Sequence, residues 1–282
     1  MKLRVRSAVR WPAGLPRVGD DVEWGRTTVA VSGSTPVRLS VIDTGPPPDA
    51  AYGTLICLHG AGGDAEQWRH QISHFRHRYR VIAPDLRGHG ASDVPYSAYS
   101  LEEFLGDFTQ LLDQLAVEPP IMLLAHSFGG PIALRFAAAQ PQRIARLVLI
   151  ATAPEIHLHP LYEAMLKLPL PLRMLERLRP LVAPKLGAPL FVIQRVLAGT
   201  LFPWRGWGLL PSVVTPTLII GGQFDLLVRH DALPRMPREL REARLEIVRY
   251  TRHLPQLERP RAVNRHIEQF LERRRSWRDE EE

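Results

Sequence analysis

A serine hydroxyl attacks a carbonyl carbon at neutral pH only when a base removes its proton and an acid holds that base in place. Three residues of this 282-residue chain are spaced to form such a set: Ser127, Asp225 and His253. Ser127 follows the apolar run Ile121 to Leu124, which suits a strand buried on both faces, and precedes Pro131 to Ala139, where apolar residues recur at helical spacing. The serine therefore stands on a sharp turn between strand and helix. Ala125 and Gly129, two positions away on either side, are small enough for the helix to cross close over the strand. Asp225 follows the apolar run Thr217 to Gly221, and His253 follows Leu245 to Val248, so each occupies a loop at the C-terminal end of a strand. In an open parallel sheet those ends share one edge, where ligands bind. The roles read as nucleophile for Ser127, general base for His253 and orienting acid for Asp225.

A tetrahedral intermediate also needs donors fixed against its oxyanion. Two backbone N–H groups are candidates, that of Phe128 in the turn and that of Ala61 just after His59-Gly60. Among the 11 histidines, His126 reads as packing or hydrogen-bonding behind the turn. Asp85 and Asp93 read as holding together the loop that contains Arg87. Phe128, Trp68, Trp204 and Trp207 fit either a pocket wall or the core. His157 with His159, and His74 with His77, lack a companion acid or thiolate at ligand spacing, so neither a metal nor another cofactor is expected.

Positioning these groups requires a regular scaffold. Thr27 to Val31 and Val37 to Asp43 read as an opening hairpin, and Thr54 to Leu58 and Arg80 to Pro84 as buried strands. Between the latter two, Asp64 caps a helix carrying Trp68, Ile72 and Phe75. Ser100 caps another, with Glu103 at the capping-box position and Phe104, Phe108, Leu111 and Leu112 along one side. Leu147 to Ile150 is a further buried strand. Strands alternating with helices imply a mostly parallel sheet covered on both faces. The rhythm fails from Pro154 to Pro211, where short helices are expected at Leu161 to Leu168, Leu172 to Leu178 and Leu190 to Leu197, forming an inserted cap. Gly206 to Phe224, broken by glycines and prolines, fits a loop entering a strand rather than a membrane span. A helix from Arg261 to about Arg274 closes the fold, and Asp279 to Glu282 reads as a frayed end.

At 45% hydrophobic and 23% charged, the chain suits one large domain or a domain with an insertion. Its formal net charge of +7 comes from scattered arginines, which argues against a nucleic-acid groove. The one cysteine, Cys57, lies in an apolar run and has no internal partner, which points to a reducing, cytoplasmic setting. Met1 to Arg10 lacks the apolar core of a signal peptide; a mitochondrial presequence is the alternative reading of its basic residues. Oligomeric state is not legible.

Four motifs in order carry a resemblance to the α/β-hydrolase fold over nearly the whole chain: Leu58-His59-Gly60-Ala61-Gly62-Gly63, Asp85-Leu86-Arg87-Gly88-His89-Gly90-Ala91-Ser92, Ala125-His126-Ser127-Phe128-Gly129-Gly130, and the Asp225 and His253 loops. The resemblance implies an eight-stranded, mostly parallel sheet flanked by helices, with core segments 1–153 and 212–282 and a helical cap, 154–211, inserted after strand 6. It also implies a second position for the acid, near Ala151 to Pro154; no carboxylate stands there, and Glu155 just beyond is the alternative to Asp225. Two departures stand out: Ala125 replaces the first glycine of G-x-S-x-G, and Arg252 precedes the histidine where many relatives have glycine. The activity implied is hydrolysis of a carboxylic ester or related acyl bond, on a small-molecule substrate that the apolar cap composition suggests is small to medium and apolar. Carbon–carbon hydrolysis, lactone opening, acyl transfer and peroxyacid formation use the same triad, and a ligand receptor of the same fold is the non-enzymatic reading. Without an aspartate nucleophile, epoxide hydrolase and haloalkane dehalogenase chemistry is disfavoured.

Overall fold

Alternate residues of a strand point to opposite faces of its sheet, and the strand Ile121–His126 uses both faces for burial. Leu123 and Ala125 join an apolar cluster with Phe104, Phe108, Phe136 and Leu147, whereas Met122 and Leu124 join another with Trp68, Ile72, Phe75, Val148 and Ile267. A sheet with a core on each side follows. The computed structural model describes residues 25–33, 35–47, 53–155, 172–182, 186–228 and 231–272.

The strands are β1 (Arg26–Val31), β2 (Val37–Asp43), β3 (Thr54–Leu58), β4 (Arg80–Pro84), β5 (Ile121–His126), β6 (Ile144–Ile150), β7 (Thr217–Gly222) and β8 (Ala243–Val248). They form one eight-stranded sheet in the order β1-β2-β4-β3-β5-β6-β7-β8. Only β2 runs against its neighbours, β1 and β4; every other pairing is parallel. Leu58 pairs with Ala125, His126 with Ile150, Ile150 with Ile220, and Gly222 with Val248, so β3, β5, β6, β7 and β8 end along one edge. The loops leaving that edge carry Ala61, Ser127, Asp225 and His253.

The helices are α1 (Arg69–Phe75), α2 (Leu101–Gln114), α3 (Gly129–Ala139), α4 (Leu172–Val182), α5 (Leu190–Val196), α6 (Ala232–Glu239), α7 (Pro255–Glu258) and α8 (Pro260–Glu272). Ser100 and Glu103 form the expected capping box on α2, and Asp64 caps the 3₁₀ turn that leads into α1. Cys57 is fully buried in β3, and burial pushes its thiol well above the ordinary range. The anticipated helix at Leu161 to Leu168, His157 and His159, the basic N-terminus and the acidic C-terminus lie outside the described residues. No helix among the described residues is long and apolar enough to cross a membrane.

Some elements differ from expectation. The residues before β7 form a 3₁₀ helix, Trp207–Ser212, rather than a plain loop. Helix α6 lies between β7 and β8 in a segment where the sequence pattern shows no helix, because Pro237 stands inside it while only Ala232, Leu233 and Met236 mark its buried side. Asp85 and Asp93 do fasten the 85–93 loop, Asp85 accepting the N–H groups of Ala65 and Ala91 and the Arg26 guanidinium, and Asp93 pairing with Arg38. Arg87, however, turns away from both.

Its buried guanidinium instead grips Asp107 of α2 through two bonds, of 2.6 and 2.7 Å, and Glu103 at 2.9 Å. Removing one partner of a buried ion pair leaves an uncompensated charge, which costs about 3–5 kcal/mol. Arg87→Leu is expected to lower stability by that order in urea unfolding. A double variant, Arg87→Leu with Asp107→Leu, is expected to regain part of the loss, because the more deeply buried carboxylate is gone and only Glu103 is left without its cation.

Candidate active site

At the end of β5 the backbone turns through Ser127 in the left-handed region, with φ of 48°. A non-glycine residue held there costs on the order of 1–3 kcal/mol, so the surroundings must enforce it. They do so through three hydrogen bonds: the Ser127 N–H donates to the Ile150 carbonyl at 2.9 Å, and the Ser127 carbonyl accepts from the Gly130 N–H and the Thr152 hydroxyl, each at 2.8 Å. Helix α3 then crosses directly over β3. A Cβ on Gly129 would lie 2.7 Å from the Leu58 carbonyl oxygen, so the chain can turn here only with glycine. Ala125, which replaces the other small residue of the motif, is fully buried within β5.

His253 joins the other two groups. Its Nδ1 lies 2.9 Å from Asp225 Oδ2, and its Nε2 lies 2.9 Å from Ser127 Oγ. A carboxylate only accepts, so Nδ1 carries the proton; in the neutral ring Nε2 is then the acceptor, and the serine hydroxyl donates to it. The second oxygen of Asp225, Oδ1, accepts the N–H groups of Leu227 at 2.8 Å and Val228 at 3.2 Å. Burial pushes the Asp225 carboxyl upward, but the His253 hydrogen bond and charge and the two backbone donors outweigh it and hold the group below the ordinary carboxylate range. Asp225 is thus ionised and fully hydrogen-bonded behind the imidazole. Glu155, the alternative acid, pairs its backbone with Arg205 instead.

The loop from His59 to Gly63 lies beside the serine. A Cβ on Gly60 would stand 3.1 Å from Ser127 Cβ and 2.6 Å from His126 Nδ1. Among the described residues, no hydrogen bond takes up the N–H of Ala61 or of Phe128. The Phe128 ring itself is buried against Phe104 and His89.

Three histidines buttress the site without sharing its chemistry. His59 Nε2 accepts the Leu86 N–H at 3.0 Å while its Nδ1 faces the Gly60 carbonyl, tying the two glycine-containing loops together. His89 Nδ1 faces the Arg87 carbonyl. His126 Nε2 donates to the backbone carbonyl of His253 at 2.8 Å, so the residue before the nucleophile holds the loop that carries the base. Position beside Ser127 was the available signal for His126; its bond to a carbonyl 127 residues away was not readable. The tryptophans divide differently from the pocket expectation. Trp68 is fully buried on the opposite face of the sheet, Trp204 donates its indole N–H to the Ala153 carbonyl at 3.1 Å, and Trp207 has the Arg235 guanidinium over its ring at 4.0 Å.

Residues just before α5 rest on this site. Gly187 donates its N–H to the Gly62 carbonyl and accepts the Gly90 N–H at its own carbonyl, both at 2.7 Å, and Leu186 and Ile193 lie over Gly62. Further along, Thr200 donates to the Tyr99 carbonyl at 2.7 Å.

A model of the α/β-hydrolase fold matches residues 53–192. A Bacillus subtilis protein provisionally named a 2-succinyl-6-hydroxy-2,4-cyclohexadiene-1-carboxylate synthase is 27% identical over 86% of this chain and 98% of its own. Epoxide hydrolase 3 of Xenopus tropicalis is 29% identical over 77% of this chain and 71% of its own. An esterase from Thermogutta terrifontis superposes with a TM-score of 0.73 at 24% identity, covering 88% of this chain and 98% of the esterase. A Mycobacterium tuberculosis relative is 36% identical over 34% of this chain, and the match spans only 28% of that relative's length.

Burial lowers His126 and His89 to about 3, His126 with the further push of His253 and His89 with that of His59. Each imidazole gains a proton on unfolding below its ordinary value of about 6.5, so the unfolded state binds more protons and stability falls as pH drops from there toward 3. The slope is roughly 1.4 kcal/mol per pH unit for each histidine. Urea unfolding followed down the acid limb is expected to show this steep loss, and His126→Asn is expected to reduce the slope by about one proton's worth.

Proposed function

We propose, for a chain that belongs to the α/β-hydrolase superfamily, that it hydrolyses a carboxylic ester or related acyl bond through an acyl-enzyme on Ser127. The observation that carries this reading is His253, hydrogen-bonded at 2.9 Å to both Ser127 Oγ and Asp225 Oδ2. Ser127 Oγ attacks the carbonyl carbon as its proton passes to His253 Nε2. The electron pair of the carbonyl moves to oxygen, which the N–H groups of Phe128 and Ala61 receive. Asp225 stabilises the imidazolium through Nδ1. Collapse breaks the bond to the leaving alcohol, which takes the proton from Nε2. Water, deprotonated by the same nitrogen, then attacks the acyl carbon and releases the acid, and the serine regains its proton.

The substrate is a small to medium apolar molecule. Support comes from the segment between β6 and β7, which we assign as the cap: Val192 and Val196 are buried, and Leu186 and Ile193 lie over the Gly62 turn beside Ala61. On this reading the core is 1–153 with 212–282, and the cap is 154–211. A buried, unpaired cysteine fits a cytoplasmic setting. Relatives named as epoxide hydrolases raise that chemistry as a rival, and the residue at the turn separates the two: an ester-type acyl intermediate forms on serine, whereas Ser127 offers no carboxylate.

Two measurements test the proposal. A fluorophosphonate probe followed by peptide mass mapping is expected to mark Ser127, and an unmarked serine in folded protein overturns the nucleophile assignment. Across a panel of acyl esters of graded chain length, Ser127→Ala is expected to abolish turnover. Asp225→Asn, which leaves the imidazole in the wrong tautomer, is expected to reduce kcat by about ten-thousandfold. Adding a competing alcohol to the same panel separates hydrolysis from acyl transfer.

A further inference from the structure

Large apolar side chains left in water cost free energy unless something covers them, and scattered single examples need no explanation. On this molecule four of them are gathered together. Phe224, Leu226, Leu227 and Tyr250 are exposed by 52%, 93%, 48% and 68%, and all four lie on two loops, 223–227 and 249–252. Those loops are one surface. Phe224 donates its N–H to the Thr251 carbonyl at 2.8 Å, Gln223 donates its own to the Val248 carbonyl at 3.2 Å, and Tyr250 donates to the Gln223 side-chain oxygen at 3.0 Å.

The surface is also predominantly positive. Arg249, Arg252 and Arg259 are exposed around it, and among the described residues none of them forms an ion pair; Arg259 lies over the Tyr250 ring at 5.4 Å. The acids nearby are spoken for. Asp225 is buried against His253, and Glu258 accepts the backbone N–H groups of Arg252 and Leu254. Exposed apolar side chains ringed by unpaired guanidinium groups match a layer whose interior is apolar and whose outer edge is anionic.

We propose that this face docks the protein peripherally onto anionic phospholipid surfaces, with Leu226 and its apolar neighbours entering the headgroup–acyl boundary and Arg249, Arg252 and Arg259 meeting phosphates. The two loops are those that carry Asp225 and His253, so docking brings the mouth of the candidate site to the lipid. The docking itself does not depend on the chemistry assigned to Ser127.

Co-sedimentation of the full chain with vesicles tests the proposal, using phosphatidylcholine alone and phosphatidylcholine mixed with phosphatidylglycerol. Binding is expected to the mixed vesicles and to fall with salt. Each arginine removed is expected to weaken it about fivefold, so Arg249→Gln with Arg252→Gln loses about twenty-five-fold. Leu226→Ser is expected to weaken binding as well. A control with the same loss of charge elsewhere, Arg135→Gln with Arg238→Gln, is expected to bind as the unaltered protein does. Circular dichroism melts of every variant establish that each is folded. Equal binding to both vesicle types, an unaffected Leu226→Ser variant, or an equal loss in the control pair overturns the proposal. So does a solution dimer that Leu226→Ser converts to monomer, since a second copy would then be what covers the face.

Discussion

The turn at Ser127 is possible only because α3 crosses β3 at backbone contact distance, with the hydrogen of Gly129 where any side chain would strike the Leu58 carbonyl. That crossing sets the direction in which Oγ leaves the sheet. It also ties the serine to β6, since the Ser127 N–H is satisfied by Ile150 and its carbonyl by Thr152 just beyond the same strand. A left-handed serine is therefore held by its neighbours on both sides rather than by its own preference. The parallel register of β5, β6, β7 and β8 then decides where the partners stand, because strands that end together release their loops together.

Around this turn, polar groups are buried in a definite order of protonation. The Asp225 carboxylate is satisfied by the imidazole and two backbone N–H groups. His59, His89 and His126 are buried neutral, each facing a backbone carbonyl. His59 uses both ring nitrogens to bridge two loops, and all three rings do their bracing without a charge that would compete with Asp225 for His253. Arg87 serves a different end. Its charge, matched by Asp107 and Glu103, fixes the 85–93 loop to α2.

Much of this was legible in the sequence because it rests on local pattern. Buried strands of a parallel sheet read as short apolar runs, and the positions of Ser127, Asp225 and His253 follow from which residues come directly after such runs. The capping box at Ser100 and Glu103 is likewise local, and the structure contains it. What could not be read depends on contacts between distant segments. The grip of Arg87 on α2, the bond from His126 to the His253 carbonyl and the seating of residue 187 on two loops leave no periodicity. Helix α6 escaped for a different reason: Pro237 removes the usual sign of a helix interior, so tertiary packing of Ala232, Leu233 and Met236 supports it.

Gly187 has one further implication. Its N–H and its carbonyl are each satisfied by a different loop of the site, Gly62 on one side and Gly90 on the other. Lifting this short stretch away would strand the buried carbonyl of Gly62, and buried main-chain groups do not stay unpaired, whereas the exposed N–H of Gly90 can turn to solvent. The short stretch before α5 thereby fastens the loop beside Ser127 to the 85–93 loop through the two main-chain groups of one residue, Gly187.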